Sequence, residues 1–293
     1  VTQGQILQYL ISGVTVGSTY GLAGLGFTVI YNTTEIINFA QGEFVMLGGM
    51  LAVFAMQWWG LPLPLAVVAA VAIVTAIGVL IDRLTIQPVR HRSPIHLVII
   101  TIGISILLRG GAMLLFGKDT FSLPPFTGGS PILFLDAAIL PQNLWVVGTA
   151  ILVLVAMKLF FELTITGKAM LACSYDARAA SLMGINVGTM VTLSFAFSAM
   201  SGAIAGVILA PITLTSYDVG ILLGLKGFAG CILGGLGNPF GAVAGGILLG
   251  VIESLGAGLF SSGYKDAIAF VLLLGLLFVR PSGLFGKKMG ERV

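Results

Sequence analysis

Apolar residues along this chain come in runs of about 20, long enough to cross a hydrocarbon core about 30 Å thick. The runs lie near 7–31, 39–57, 62–82, 97–116, 143–161, 189–210, 219–237, 240–260 and 265–280, and they predict nine helices. The last run is short and the second opens on the polar string "NFAQGEF", so eight full spans plus a re-entrant or half helix is the alternative count. Two longer intervals break the pattern. Residues 117–142 are rich in proline and glycine, which argues against a regular span and for a connector, with a docking surface as the alternative. Residues 167–186, "GKAMLACSYDARAASLMGIN", form an alanine-rich polar stretch in an otherwise apolar chain.

Composition turns this pattern into a class. Of 293 residues 57% are hydrophobic and 9% charged, with a mean hydropathy of +1.09; soluble domains carry charge at roughly 25%. An all-α polytopic membrane protein follows. The net charge of +3 does not signal nucleic acid, because ten of the fourteen basic residues fall in three short polar segments, as topology signals do. These hold Arg83, Arg90 and Arg92; Lys158, Lys168 and Arg178; and Arg280, Lys287, Lys288 and Arg292. Two spans separate the first segment from the second and four the second from the third, so all three share one side, the cytoplasm. The N-terminus is then outside, the C-terminus inside, and 117–142 an external loop. The opening residues lack a basic n-region and a cleavage pattern, so the first run is expected to stay in the membrane. Cys173 and Cys231 are too few for a disulfide framework and are read as free thiols.

Helices in lipid gain little from the hydrophobic effect and pack instead through small residues. Gly13, Gly17 and Gly21 repeat every four residues, and the spacing recurs in pairs from Gly202 to Gly250. This predicts a glycine-packed bundle with a tight hairpin at "GGLGNPFG". "IINFAQGEFVMLGG" echoes that hairpin at a second turn on the cytoplasmic face, with Asn38 and Asn238 marking the two turns. A weak internal repeat, 7–92 against 219–288, is one reading of the echo and chance the other.

Ionisable residues at bilayer depth are costly and are candidates for function, with pairing as the plainer explanation. Arg109, Lys226 and Glu253 each lie seven residues from the outer end of a span, roughly 10 Å below the external surface at about 1.5 Å per residue. Shared depth makes a salt bridge possible: Lys226 paired with Glu253 across the hairpin to hold the bundle is one reading, and a role lining the substrate path the other. Glu35 and Glu43 are expected near the inner face. No G-x-x-x-x-G-K-[ST], H-E-x-x-H or G-x-S-x-G string occurs, and His91 and His96 have no carboxylate or cysteine cluster around them, so neither an enzyme nor a metal site is expected.

Within the polar stretch, Lys168 to Tyr175 reads as helical. Asp176 is placed to cap a second short helix, Ala177 to Met183, stopped by Gly184. Leu171, Tyr175, Ala179 and Leu182 fall on one stripe, and Ala179 and Ala180 leave one flank without bulk. A surface for a partner protein and a linker lying on the membrane both fit.

Together these strings, with "FAFSAMSGAIAGVILAP", "GLLGLKGFAGCILGGLGNPFGAVAGGILLGVIES" and "SSGYKDAIAFVLLLGLLFVRPSGLFG", resemble the permease subunits of branched-chain amino acid ABC importers, in particular the LivH-type subunit. "INFAQGEF" carries Gln41 where that family usually has His. The resemblance implies one transmembrane permease domain over 1–293 in the bacterial inner membrane, with eight to nine helices and a cytoplasmic coupling loop at about 162–188. It implies Asp176, Ala179, Ala180 and Gly184 as ATPase-coupling residues, and Asn38, Gln41, Glu43, Lys226, Asn238 and Glu253 as polar groups within the membrane or along the path. Arg109 departs from the neutral polar residue the family leads one to expect. No cofactor is implied in this chain; ATP and magnesium belong to partner ATPases. The implied partners are a second, LivM-like permease, two LivG- and LivF-like ATPases, an external substrate-binding protein and membrane lipid, without nucleic acid. The implied function is alternating-access import of branched-chain amino acids. Import of urea or short amides, and an ion-coupled secondary transporter, are the rivals.

Overall fold

The computed structural model describes residues 2–89, 93–134, 137–259, 261–280 and 282–286. Arg90, His91, Arg92, Lys287, Lys288 and Arg292 lie outside the described residues. The chain folds as a helical bundle: α1 (Gln3–Thr34), α2 (Gln41–Trp59), α3 (Leu63–Ile81), α4 (Pro94–Phe116), α5 (Pro141–Leu163), α6 (Ile165–Tyr175), α7 (Ala177–Leu182), α8 (Val187–Thr213), α9 (Val219–Gly234), α10 (Pro239–Leu259) and α11 (Lys265–Val279). Among the described residues six helices are long and apolar enough to cross a membrane: α1, α3 with its extension to Val89, α4, α5, α8 and α10. The second, seventh and ninth predicted runs appear as α2, α9 and α11, of 19, 16 and 15 residues. The α-helical reading needs one addition, because the connector 117–142 holds an antiparallel hairpin, β1 (Ile132–Phe134) on β2 (Ala137–Ile139).

Glycine sets the tightest seams. α1 lies antiparallel on α10: a Cβ at Gly13 would sit 2.6 Å from Val251 Cα, one at Gly17 2.7 Å from Ile247 Cα, and one at Gly21 2.9 Å from Val243 Cα. At such spacing backbone meets backbone, the approach that small residues permit. α2 and α8 run parallel, with Gly202 against Phe44 and Gly48 against Ala203. Phe44, Met46, Met50 and Phe195 are fully buried at the centre.

The second turn departs from its expected place at the inner face. α1 ends where Glu35 adopts φ +56, and the chain then runs through the bundle interior. Asn38 and Ala40 are completely buried, and Phe39 N–H donates to Thr101 Oγ1 at 3.2 Å, about two turns into α4. α2 therefore starts partway along the bundle and runs for 19 residues. α9 is built the same way. After α8 the chain turns back at Leu214, φ +64, Thr215 pairs with Phe121 through two 2.8 Å backbone bonds, and the first turn of α9 reaches the level of Gly42.

One end of the bundle carries the N-terminal part of α1, tied to the hairpin by Ala138 N–H donating to Gln8 Oε1 at 2.7 Å. The other end gathers segments remote in the sequence. Gln87 donates to Thr192 Oγ1 at 2.7 Å and to Gly188 O at 3.3 Å, and Asn32 donates to Gly237 O at 3.0 Å. Leu284 and Phe285 N–H groups bond the carbonyls of Leu233 and Gly234.

Candidate functional site

The early start of α2 carries Glu43 into the bundle. Its carboxylate is 1% exposed and faces α4, where Ser105 Oγ donates to Oε1 at 2.8 Å and Arg109 Nε lies 3.5 Å away. Arg109 also donates to Ser105 Oγ at 3.3 Å. Glu43 is thus paired with the very arginine that sequence depth places far from it; the inner-face placement of Glu43 is incorrect, because it took the run at 39 to start at the membrane edge. Glu43 Oε2 is buried without a hydrogen-bond partner. The groups border an open-mouthed pocket between α2, α4 and α9, about 540 Å³ including its opening, lined further by Phe27, Phe39, Gly220 and Phe228.

The neighbouring polar residues turn elsewhere. Gln41 interlocks with Ser198 on α8: its Nε2 donates to the Ser198 carbonyl at 3.1 Å, and its Oε1 accepts from the Ser198 hydroxyl. Asn38 Oδ1 accepts from Ala40 N–H at 3.1 Å, while its Nδ2 is buried without a hydrogen-bond partner. Asn238 Oδ1 accepts likewise from Phe240 N–H at 3.1 Å, and its Nδ2 donates to Phe285 O at 3.2 Å, so it is a half-buried cap for α10 rather than a core polar group.

Lys226 on α9 and Glu253 on α10, 5% and 7% exposed, meet at 2.7 Å. Two further groups complete the cluster: Asp266 Oδ1 at 2.6 Å from Lys226 Nζ, and Tyr20, whose hydroxyl donates to Glu253 Oε2 at 3.1 Å and whose ring lies 5.4 Å beneath the ammonium. Buried charge is tolerable only when paired and hydrogen-bonded. The sequence reading missed Asp266, at the start of the last apolar run, and Tyr20, hidden in the first. It also missed Asp82, fully buried although it stands next to Arg83; its Oδ2 accepts from Thr192 at 2.7 Å and from Gln87 at 2.9 Å.

In the polar stretch Asp176 Oδ1 accepts from the N–H groups of Arg178 at 2.8 Å and Ala179 at 3.0 Å, capping α7. Bonds from the Ala179 and Arg178 backbone hold the Asp176 carboxyl below the usual carboxylate range. A depressed folded value means the cap's contribution is present above the ordinary carboxyl value and is lost as pH falls through the depressed one; near-neutral pH leaves α7 capped. Gly184 takes φ +86 just past the helix, with open space around it. Tyr175 and Leu182, 82% and 89% exposed, stand out with Ala179 and Met183 beside the exposed Arg178 and Ser181. Ala180 corrects the expected bare flank. It is buried in a cluster with Met170, Cys173 and Met190 and fastens α7 to the bundle. Both cysteines are free and buried.

A glycine-packed bundle of apolar helices, two of them beginning inside it, with charges in its interior and a capped helical segment fastened to it, defines a multi-pass membrane protein. Residues 9–277 match the family described as branched-chain amino acid transport system / permease component, and the chain belongs to that family. The chain is 34% identical to the high-affinity branched-chain amino acid transport system permease protein LivH of Escherichia coli, over 98% of this chain and 97% of that one. Similarity to BraD of Pseudomonas aeruginosa is the same, 34% over 98% of each. A probable branched-chain amino acid permease of Methanocaldococcus jannaschii is 29% identical over 90% and 88%. The chain is a transport subunit of an ABC importer and not an enzyme in its own right.

Proposed function

We propose that this subunit sits in the inner membrane with residues 162–188 in the cytoplasm and admits branched-chain amino acids delivered by an external binding protein. A second, LivM-like permease completes the path, and two LivG- and LivF-like ATPases drive it through α6 and α7. The observation that carries the coupling role is the set of exposed apolar residues Tyr175, Ala179, Leu182 and Met183 on and beside the capped helix α7, which Ala180 anchors to the bundle. A rigid mount with a greasy outer face transmits a push or pull, which a loose linker does not. The basic residues Lys158, Lys168 and Arg178 near this segment support its cytoplasmic placement. ATP-driven closure of the ATPases would rock glycine-packed helices as rigid bodies, the movement of alternating access.

The test is co-purification. Leu182→Asp or Ala179→Arg is expected to leave the permease folded in the membrane and to reduce the ATPase recovered with it about tenfold or more, since one charge desolvated in an apolar contact costs more than about 1.4 kcal/mol. Undiminished recovery with both variants would refute the docking face. Ala180→Glu is expected to lower the melting temperature of the permease itself, because its side chain points into the anchor. Asp176→Asn keeps an equivalent cap and is expected to retain the ATPase, whereas Asp176→Ala loosens α7.

A further inference from the structure

We propose that the pocket between α2, α4 and α9 is a binding site for the zwitterionic head of an α-amino acid, with Glu43 receiving the ammonium and Arg109 the carboxylate. This deepens the reading of the chain as an amino-acid permease and rests on it. The Glu43 carboxylate is half engaged: Oε1 accepts from Ser105 and faces Arg109, while Oε2 has no donor. A carboxylate oxygen desolvated without a donor is costly, and an ammonium group entering the pocket supplies one. Gly220 keeps the approach open, since a Cβ there would lie 2.7 Å from Oε2. Arg109 likewise has capacity to spare. A guanidinium carries five N–H donors; one donates to Ser105, and the side chain is part-exposed at the pocket. One incompletely engaged anion and one incompletely engaged cation, side by side, complement the two charges on a single α-carbon.

The remaining walls fit an aliphatic side chain. Phe27, Phe39, Phe228, Ile102, Ile221 and Leu225 line the pocket, and among the described residues the polar side chains lining it are Glu43, Ser105 and Arg109. The first turns of α2 and α9 both border it, the discontinuous-helix arrangement with which transporters bind substrates at mid-membrane. A neutral amide or a sugar would leave the charged pair unanswered.

The experiment uses the assembled permeases and ATPases in lipid nanodiscs without the binding protein. Saturation-transfer NMR titrations follow L-leucine, 4-methylpentanoate, which lacks the ammonium, and 3-methylbutylamine, which lacks the carboxylate. Glu43→Gln is expected to weaken L-leucine and the amine about tenfold or more and to spare 4-methylpentanoate. Arg109→Met is expected to weaken L-leucine and 4-methylpentanoate and to spare the amine. The melting temperature of each variant and the ATPase recovered with it are measured as the check of folding and assembly. Unchanged leucine affinity in Glu43→Gln, equal loss of all three ligands in variants that assemble and melt as the wild type does, or no leucine binding to the wild-type complex would overturn the proposal and mark Glu43–Arg109 as an ion pair of the fold alone. A wild-type complex that recruits no ATPase would instead remove the underlying importer reading.

Discussion

Gly17→Leu is expected to prevent the bundle from closing. Even the first carbon of a side chain at Gly17 would meet Ile247 Cα at 2.7 Å and the carbonyl oxygens of Gly246 and Ile247 at 2.8 Å. These are backbone atoms of α10, so no rotamer change relieves the clash; the helices must separate, and with them the neighbouring contacts at Gly13 and Gly21. Overpacking a well-filled interior costs typically about 1–3 kcal/mol when side chains can yield, and about 3 kcal/mol or more is expected where they cannot. The measurement is the yield and melting temperature of monodisperse protein in mild detergent. Gly111→Leu on α4 is the control. A Cβ there meets nothing within 4 Å, so yield and melting temperature should stay near wild type; equal losses in both variants would contradict the seam.

Lys226→Met is the second large effect. It strips the buried ammonium from Glu253 and Asp266, leaving Glu253 with the Tyr20 hydroxyl as its remaining contact in the cluster. Removing one partner of a buried pair costs about 3–5 kcal/mol, because the other charge stays desolvated. Asp266 adds little to that figure, since its side chain is part-exposed and water screens it. Glu253→Gln is expected to cost less, as Lys226 keeps Asp266. The double variant should recover part of the Lys226→Met loss, and thermal unfolding of the four proteins gives the coupling directly. Strictly additive losses would mean that the contact carries no energy.

What could be read from the residues follows from where local rules suffice. The α7 cap was legible because Asp176, the alanines and Gly184 act within a few positions, and the structure shows the cap bonds and the positive φ. The contact of Lys226 with Glu253 was legible because both lie on helices joined by a tight turn, where counting residues from the ends measures depth. The same counting failed for Glu43. It assumed that an apolar run begins at the membrane surface, whereas Asn38 to Ala40 cross the interior without forming a helix, their groups answered in part by Thr101 and by the Asn38 side chain. Nothing in a run of apolar residues marks that. The partners of Asp82 and Gln41 were illegible for a related reason, since Thr192 and Ser198 belong to a helix more than 100 positions away, and the serine or threonine that satisfies a buried polar group leaves no periodic signal. Ala180 was misread because a six-residue helix shows too few turns to tell its inner face from its outer one.

The central claim, that this permease draws on ATP through a separate subunit, is tested most directly by uptake of labelled L-leucine into proteoliposomes holding the assembled complex, with its binding protein outside and ATP sealed within. Accumulation that requires both ATP and the binding protein, and that persists when ionophores collapse every ion gradient, is the predicted result. Accumulation that proceeds without ATP and vanishes with the ion gradient would contradict it and favour an ion-coupled secondary transporter.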